Sequence, residues 1–196
     1  MSTDIQVRRC TTLDADALAL IGKASFLETF AGVLGGSDIV THCASAHCAA
    51  LYGRWLGDAA YQLWIAEIAP GQAPIGFMVV APADLPVPDS SSKDLEIKRI
   101  YILSKFHGGG IGKQFIAEAV RHARERRIER LLLGVYAKNA TAIRFYERSG
   151  FGKLGTRKFN VGGHDYDDHI MGMSLHNSAI PGSVPTFGHE RDSKLL

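Results

Sequence analysis

The sequence predicts a single domain of mixed α/β fold, and three observations support this. Helical and strand-like segments alternate along most of the chain without an internal repeat. Its 196 residues suffice for one domain with a sizeable core. A glycine-rich run at residues 108–112 separates a strand-like segment from a helical one. We expect the domain to occupy residues 1–175, with a polar, flexible tail over residues 176–196.

Charge and composition exclude several classes of protein. The net charge of +2 predicts no polyanion-binding surface, and therefore no nucleic-acid partner. The polar residues 1–9 lack the apolar core of a signal peptide, and no apolar run approaches the roughly 20 residues that a membrane span needs. Three cysteines are too few for a disulfide framework. We therefore expect a cytoplasmic protein without a membrane partner.

The first half of the chain is predicted to form a strand, two helices and two further strands. Thr11 or Thr12 can cap the first helix, with Asp14 in its first turn. Pro70 and Gly71 predict the turn between the two later strands. A segment rich in proline and serine then reads as a loop. The predicted ranges are 5–10, 13–31, 38–57, 61–68, 75–81 and, for the loop, 82–93.

Two histidine–cysteine pairs on the second helix raise the question of a metal site. His42–Cys43 and His47–Cys48 supply ligand types that zinc accepts. Only Cys43 and His47 are spaced four apart on a helix, and two ligands do not close a zinc site. Ordinary helix residues are the favoured interpretation, and no metal is expected.

The strand at 94–103 has an irregular pattern. Under period-two counting, Leu95 and Ile97 share one face while Ile100 and Ile102 share the other. A β-bulge near Lys98–Arg99 would restore all four to one face. A central strand buried on both faces explains the pattern equally well.

The second half of the chain continues with a helix, a strand, a short helix and a hairpin. Apolar residues recur at helical spacing from Ile111, and Leu131–Tyr136 has the composition of a buried strand. Gly150 predicts the end of the short helix, and Gly162–Gly163 the hairpin turn. The predicted ranges are 111–127, 131–136, 139–148, 152–161 and 165–175.

The glycine-rich run predicts a phosphate site, because its backbone N–H groups converge at the positive end of a helix dipole. A Walker-type loop would need glycine at His107 and Ser or Thr at Gln114. A dinucleotide fingerprint would need glycine at Lys113 or Phe115. Both templates fail. A flexible glycine linker is disfavoured because Ile111 and Gly112 already follow the helical pattern.

The strand at Leu95–Ile102, the loop at His107–Gly112 and the segment Asn139–Phe151 together resemble the GCN5-related N-acetyltransferase superfamily. The segments Ser25–Phe30, Leu95–Tyr101 and Ile143–Tyr146 are similar to PaiA-type polyamine acetyltransferases. The resemblance implies a mixed, mostly antiparallel sheet of about seven strands, flanked by about four helices, with a bulged and splayed fourth strand. One departure is His107, which stands where the family has Gln or Arg; a neutral imidazole can still donate a hydrogen bond.

The resemblance further implies acetyl-CoA as co-substrate and direct attack of an amine on its thioester. Tyr146 shares a helix face with Asn139 and is the candidate acid for the departing thiolate, although a core aromatic is the alternative. Glu96 is the candidate base, and pairing with Lys98 is the alternative. The cofactor-binding candidates are Ile100, Tyr101, Ile102, His107, Gly108, Gly109, Gly110, Ile111, Gly112, Lys113, Asn139 and Tyr146. The substrate-binding candidates are Glu28, Phe30 and Glu96.

The acceptor is the open question at this point. A small primary amine is favoured, with the polyamines spermidine and spermine leading. A protein amine, an amino-bearing antibiotic, or a CoA-binding regulatory domain without turnover are the alternatives. The resemblance also leaves room for a homodimer.

Overall fold

The structure is a computed structural model that describes residues 4–175, so the predicted tail lies outside the described residues. Within that range the chain forms seven strands and five α-helices, and none of these helices is long and apolar enough to cross a membrane. The strands are β1 (Ile5–Arg9), β2 (Gln62–Ile68), β3 (Ala73–Pro82), β4 (Asp94–Ile102), β5 (Arg130–Tyr136), β6 (Gly152–Val161) and β7 (His164–Ser174). The helices are α1 (Ala15–Phe30), α2 (Gly36–Ala46), α3 (Ala49–Leu56), α4 (Ile111–Glu125) and α5 (Ala140–Arg148).

The strands form one sheet in the order β1-β2-β3-β4-β5-β7-β6. All neighbouring strands are antiparallel except β4 and β5, which are parallel. The predicted mixed, mostly antiparallel sheet is confirmed. The β4–β5 pairing covers Asp94–Ile97 against Arg130–Leu133 only. Beyond these residues the two strands part and leave a gap in the middle of the sheet.

Both faces of the sheet are covered by helices. Helices α4 and α5 bury Phe115 and Tyr146 against strand residues such as Trp64 on one face. Helices α1 and α3 bury Leu18 and Tyr52 on the other. Burial on both faces explains why β2 and β3 are almost continuously apolar instead of alternating.

The bulge in β4 is confirmed. Arg99 lies opposite Val79 and Ile97 opposite Val80, so Lys98 is the extra residue. Leu95, Ile97, Ile100 and Ile102 consequently all pack towards the layer of α4 and α5. The opposite face of β4 is left to the intervening residues, and it turns out to be polar.

Two helix boundaries near the N-terminal half differ in detail from the sequence prediction. Thr11 and Asp14 form a capping box on a short 3-10 turn, and α1 follows from Ala15. The predicted helix 38–57 is interrupted, because the backbone leaves the helical region at His47 and Cys48. His47 is 1% exposed there and its Nδ1 hydrogen-bonds to the Tyr52 hydroxyl at 2.8 Å. Periodicity alone could not reveal this inward turn of a polar residue.

Candidate functional site

A cavity of about 400 Å³ lies where β4 and β5 part, on the side of the sheet covered by α1, α2 and α3. Its aromatic wall comes from six different elements and from one residue directly before β2. Its charged groups come from β4, β6, β7 and the loop after β3. The aromatic residues are Phe26, Phe30, Trp55, Tyr61, Tyr101, Tyr136, Phe159 and Tyr166, and the charged ones are Asp84, Glu96, Lys98, Arg99, Arg157 and Asp168.

The edge of β4 that faces the gap offers backbone hydrogen-bonding groups. The Leu103 N–H donates to the Ile75 carbonyl at 2.9 Å, which makes Leu103 and Ile75 a hydrogen-bonded pair. Because such pairs alternate along an antiparallel ladder, the N–H and C=O groups of Ile100 and Ile102 point away from β3, into the gap. An extended ligand can pair with these groups as a strand would.

Tyr101 differs from its two predicted companions. Its backbone is paired with Phe77 of β3, by the same alternation, and its ring stacks on the Phe77 ring at 5.8 Å between centroids. The side chain lines the cavity. Burial raises the pKa of the Tyr101 hydroxyl to about 12. The structure therefore places Tyr101 on the cavity side through its side chain, not at the gap through its backbone.

The glycine-rich turn leads directly into α4 and fits a phosphate. Gly108 and Gly110 have φ of +82° and +83°, conformations that strongly favour glycine, and nothing lies within 4 Å of a side chain built there. The Gln114 N–H donates to the Gly110 carbonyl, and the amides of residues 111–113 precede this first turn of helical bonding. Lys113 is exposed beside them. Free N–H groups, the helix dipole and one cation thus face solvent together.

His107 and Gly112 each have a structural contact inside this loop. The His107 Nε2 lies 2.8 Å from the Ile102 carbonyl, so the ring donates to one of the groups that face the gap. A side chain at Gly112 would come within 3.0 Å of the Phe145 ring, so glycine permits the close approach of α4 and α5. In this structure the His107 Nε2–H is therefore used on β4, whereas the sequence predicts that the imidazole contributes to the phosphate site.

Asn139 and Tyr146 both belong to α5. The Asn139 Oδ1 accepts a hydrogen bond from the Ala142 N–H at 3.0 Å and caps the helix. Tyr146 is 7% exposed, and its ring packs against Phe145 and Phe151. Asn139 therefore holds the start of the helix that carries Tyr146.

The Tyr146 hydroxyl has no hydrogen-bond partner among residues 4–175. No buried side-chain oxygen or nitrogen in that range lacks a partner, so this hydroxyl must retain some contact with solvent. Burial of the ring raises the pKa of Tyr146, and the Tyr101 hydroxyl raises it further.

Glu96 lines the cavity, where the proposed base would lie, and it is also paired with Lys98. It is 3% exposed and lines the cavity, and it also accepts hydrogen bonds from Lys98 Nζ at 2.7 Å and from the Asp84 N–H at 3.2 Å. Lys98 forms a second ion pair with Asp84 at 2.6 Å. Burial raises the pKa of Glu96, while Lys98 opposes the shift. The result is a carboxylate that is buried, paired and adjacent to the cavity.

Of the other two substrate-binding candidates, only Phe30 lines the cavity. Both oxygens of Glu28 are engaged by Ser104, through its N–H at 2.9 Å and its hydroxyl at 2.7 Å. Glu28 thereby ties α1 to the turn that follows β4. The distant sequence positions of Glu28 and Ser104 gave no sign of this contact.

Several cavity residues were not singled out from the sequence as site residues. Arg99 shares a face with Glu96 once the bulge is placed at Lys98, so the pattern did contain that signal. Arg157 pairs with Asp168 at 3.3 Å and lies over Gly134, where a side chain would come within 2.7 Å of the guanidinium. Only the packing of β5 against β6 and β7 reveals that arrangement.

The two histidines of the metal hypothesis are packed among aromatic residues. The His42 ring stacks on Phe26 at 4.3 Å between centroids, and His47 is bonded to Tyr52. Burial lowers the pKa of both histidines, and that of His47 to about 2. Residues 4–175 contain no group of three or more side chains arranged to hold a metal ion.

Comparisons with known proteins identify relatives of this arrangement. The family described as "Acetyltransferase (GNAT) family" matches residues 36–151. An uncharacterized N-acetyltransferase of Mycobacterium tuberculosis is 27% identical over 162 residues, which cover 83% of this chain and 98% of that protein. The spermine/spermidine N(1)-acetyltransferase of Bacillus subtilis is 30% identical over 73 residues, covering 37% of this chain and 48% of that protein.

A solved structure shares the fold across almost the whole domain. The PaiA N-acetyltransferase of Thermoplasma acidophilum, in complex with coenzyme A, superimposes with a TM-score of 0.71 at 19% identity. The superposition covers 87% of this chain and 99% of that one.

Proposed function

The chain belongs to the GNAT acetyltransferase family and is an N-acetyltransferase with acetyl-CoA as its co-substrate, and from that premise we propose that it acetylates a primary amine of a small molecule. One observation carries the proposal. The glycine loop contacts the open edge of β4 through His107 and Ile102, and the cavity lies where β4 and β5 part. A donor bound from the α4 side can therefore reach an acceptor bound on the α1 side.

In this proposal the free amides of the glycine loop and α4 bind the pyrophosphate of acetyl-CoA. The groups of Ile100 and Ile102 pair with the amides of the pantetheine arm, as an added strand would. The Ile102 carbonyl already accepts from His107, so Ile100 and the Ile102 N–H are the groups left for the ligand. The thioester would then lie in the gap, beside Glu96 on the cavity side and Tyr146 on the other.

The proposed reaction is a direct attack within a ternary complex. Glu96, directly or through water, takes a proton from the ammonium, and the freed amine attacks the thioester carbonyl. The C–N bond forms, the C–S bond breaks, and the thiolate receives a proton from the Tyr146 hydroxyl. The attacking nitrogen gives up its second proton to water as the amide forms, and a proton from water restores the phenol. A phenol with its ordinary pKa near 10 already carries its proton at neutral pH, and burial raises the pKa of Tyr146 further, so the neutral form is the one present.

Polyamines are the acceptor class that the sequence resemblance favoured, and the similarity to the Bacillus subtilis spermine/spermidine enzyme supports it. That similarity spans 73 residues, which is too short to include all the elements that line the cavity. The three carboxylates of the cavity could attract an ammonium group, yet each is paired with a lysine or an arginine. A polyamine is thus one candidate among small primary amines.

The test is release of coenzyme A thiol when the purified protein is mixed with acetyl-CoA and single amines. We expect thiol release that requires an amine, together with a product heavier by one acetyl group. Spermidine belongs in the panel alongside amines of other charge. Binding of acetyl-CoA without turnover on any amine would contradict the proposal and favour a CoA-binding regulatory domain.

A further inference from the structure

Arg99 is the one cavity cation that has no carboxylate partner within residues 4–175. Lys98 is paired with Glu96 and Asp84, and Arg157 is paired with Asp168. The cavity therefore has an acidic side, where two carboxylates share Lys98, and a cationic side at Arg99. An acceptor that matches both sides would carry charges of both signs.

The protein itself fixes the Arg99 guanidinium. Its Nη1 donates to the Ala46 carbonyl at 2.5 Å and to the Tyr52 hydroxyl at 2.9 Å. Its guanidinium carbon lies 4.7 Å from the centre of the Trp55 ring. Nη1 and one face of the guanidinium are thus held by the protein. The Arg99 side chain therefore loses little further conformational freedom when it binds a ligand.

Tyr52 and His47 complete this support without adding negative charge. The Tyr52 oxygen accepts from Arg99 and also lies at hydrogen-bond distance, 2.8 Å, from His47 Nδ1. Burial and the positive charge of Arg99 lower the pKa of His47 to about 2, so this histidine is neutral at neutral pH. Every direct partner of the guanidinium is uncharged.

The Nε and Nη2 atoms of Arg99 have no partner among the described residues. Neither can be fully buried, since no buried side-chain nitrogen in that range lacks a hydrogen bond. These two atoms form the edge of a guanidinium that binds a carboxylate through two parallel hydrogen bonds. Arg99 lines the cavity, so this edge is available to a ligand there.

We propose that Arg99 binds a carboxylate of the acceptor, so that the acceptor is an amine that also carries a carboxylate. This inference rests on the proposed function, because it names the acceptor class of the same cavity. Arg99 is then a specificity-determining residue. Amines with positive charge only, polyamines included, leave the guanidinium unpaired and are poorer acceptors.

The first experiment uses the unmodified protein and matched acceptors. An α-amino acid and ω-amino acids of increasing length are each compared with their own carboxamides, and with spermidine, by kcat/KM for thiol release. We expect at least one carboxylate to exceed its amide by about tenfold or more, since a hydrogen-bonded charge pair contributes on that scale. Equal values within all pairs, or spermidine as the best acceptor, would overturn the inference.

The second experiment compares Arg99→Gln with Arg99→Lys and with Arg54→Gln. Arg54 is exposed on α3, so its substitution removes the same charge outside the cavity. Arg99→Gln should abolish the preference for the carboxylate, and Arg99→Lys should retain part of it. Arg54→Gln should leave it unchanged. Survival of the full preference in a folded Arg99→Gln variant would overturn the inference, and the wild-type pairs decide the question if that variant does not fold.

A binding measurement separates this inference from the proposed function. Calorimetry with coenzyme A present measures the same carboxylate and amide pairs without requiring turnover. Selective binding of the carboxylate without any thiol release would support the anion site and contradict the amine acetyltransferase proposal. Turnover with no preference for the carboxylate would support the amine acetyltransferase proposal and contradict the anion site.

Discussion

Tyr146 and Tyr101 lie in opposite layers of the fold, and their surroundings differ in ways that predict different roles. Tyr146 belongs to the layer of α4 and α5, where the proposed donor binds. Tyr101 lines the cavity on the other side, where the acceptor is proposed to bind. Neither hydroxyl has a hydrogen-bond partner among residues 4–175. Removal of one hydroxyl should therefore affect a different kinetic constant from removal of the other.

Replacing Tyr146 with Phe should lower kcat about a hundredfold, because the departing thiolate loses its proton donor. The Kd for acetyl-CoA should stay within about twofold, since the ring and its packing are retained. Tyr101→Phe is the matched comparison, and its main effect should fall on KM for the amine. Steady-state kinetics and CoA titration measure both. An unchanged kcat in Tyr146→Phe would remove this hydroxyl from the mechanism.

Glu96 predicts an acid limb in the pH profile. Burial raises its pKa above the ordinary carboxyl value, and only the deprotonated form can accept a proton. Turnover should therefore fall as the pH drops through this raised pKa. Glu96→Gln should lower kcat about a hundredfold and remove the limb. Glu147→Gln, an exposed carboxylate on α5, should keep the wild-type profile. An acid limb that persists in Glu96→Gln would assign the base to another group.

At the scale of whole elements, the support for Arg99 depends on how closely α1 approaches α3. A side chain at Gly22 of α1 would come within 2.4 Å of His47 Nδ1 and 2.7 Å of the Tyr52 hydroxyl. Glycine at this position makes room for the hydrogen bonds that fix the guanidinium. Gly22 of α1 is therefore in close contact with His47, which lines the cavity.

Gly22→Ala should lower the free energy of unfolding by about 1–3 kcal/mol, because the added methyl group displaces the buried His47 and Tyr52 side chains. Gly53→Ala in α3 is the matched control, with nothing within 4 Å of the new side chain. It should be neutral or stabilise by up to about 1 kcal/mol, because alanine favours helix. Denaturant titration measures both. Equal stabilities in the two variants would show that α1 can move away without cost.

The elements also show where sequence reasoning succeeds. Strand and helix positions, an N-cap at Thr11 or Thr12 and a bulge near Lys98–Arg99 follow from local pattern and chain chemistry, and the structure has the cap at Thr11 and the bulge at Lys98. The break at His47, whose ring packs against Phe77, and the contact between Glu28 and Ser104 depend on distant partners, which local periodicity does not encode. The cavity is the feature that is hardest to predict from local sequence, because its lining residues extend from Phe26 to Asp168.

On the scale of the whole molecule, the sheet is open in its middle and linked to a helix at its edge. The opening is the gap between β4 and β5, where the reaction is proposed to occur. The link is a hydrogen-bond network at the β1 edge, where Arg8 of β1 donates to both Asp14, which precedes α1, and Glu67 of β2. Four hydrogen bonds of 2.8 to 3.0 Å hold the first helix to the sheet edge. This fixes the N-terminal end of the helix whose other end lines the cavity.

The Asp14 carboxylate makes the stability of this hydrogen-bond network dependent on pH. It is 7% exposed, and Arg8 lowers its pKa from 3.8 to about 2. A carboxyl group whose pKa is lowered on folding stabilises the protein when the pH is above the pKa of that group in the unfolded chain. This contribution is lost as the pH falls from about 4 to about 2. A shift of this size corresponds to about 2 kcal/mol at neutral pH.

Asp14→Asn should therefore lower the free energy of unfolding by about 2 kcal/mol near pH 7, with a smaller difference from wild type at low pH. The amide carries no charge, so it cannot titrate and cannot match the paired acceptors that Arg8 requires. Asp16→Asn, which removes an exposed carboxylate two residues further on, should cost only a few tenths of a kcal/mol. Urea titrations at a series of pH values measure these differences. A constant gap between Asp14→Asn and wild type from neutral to acid pH would mean that Asp14 acts through packing, without linkage to its proton.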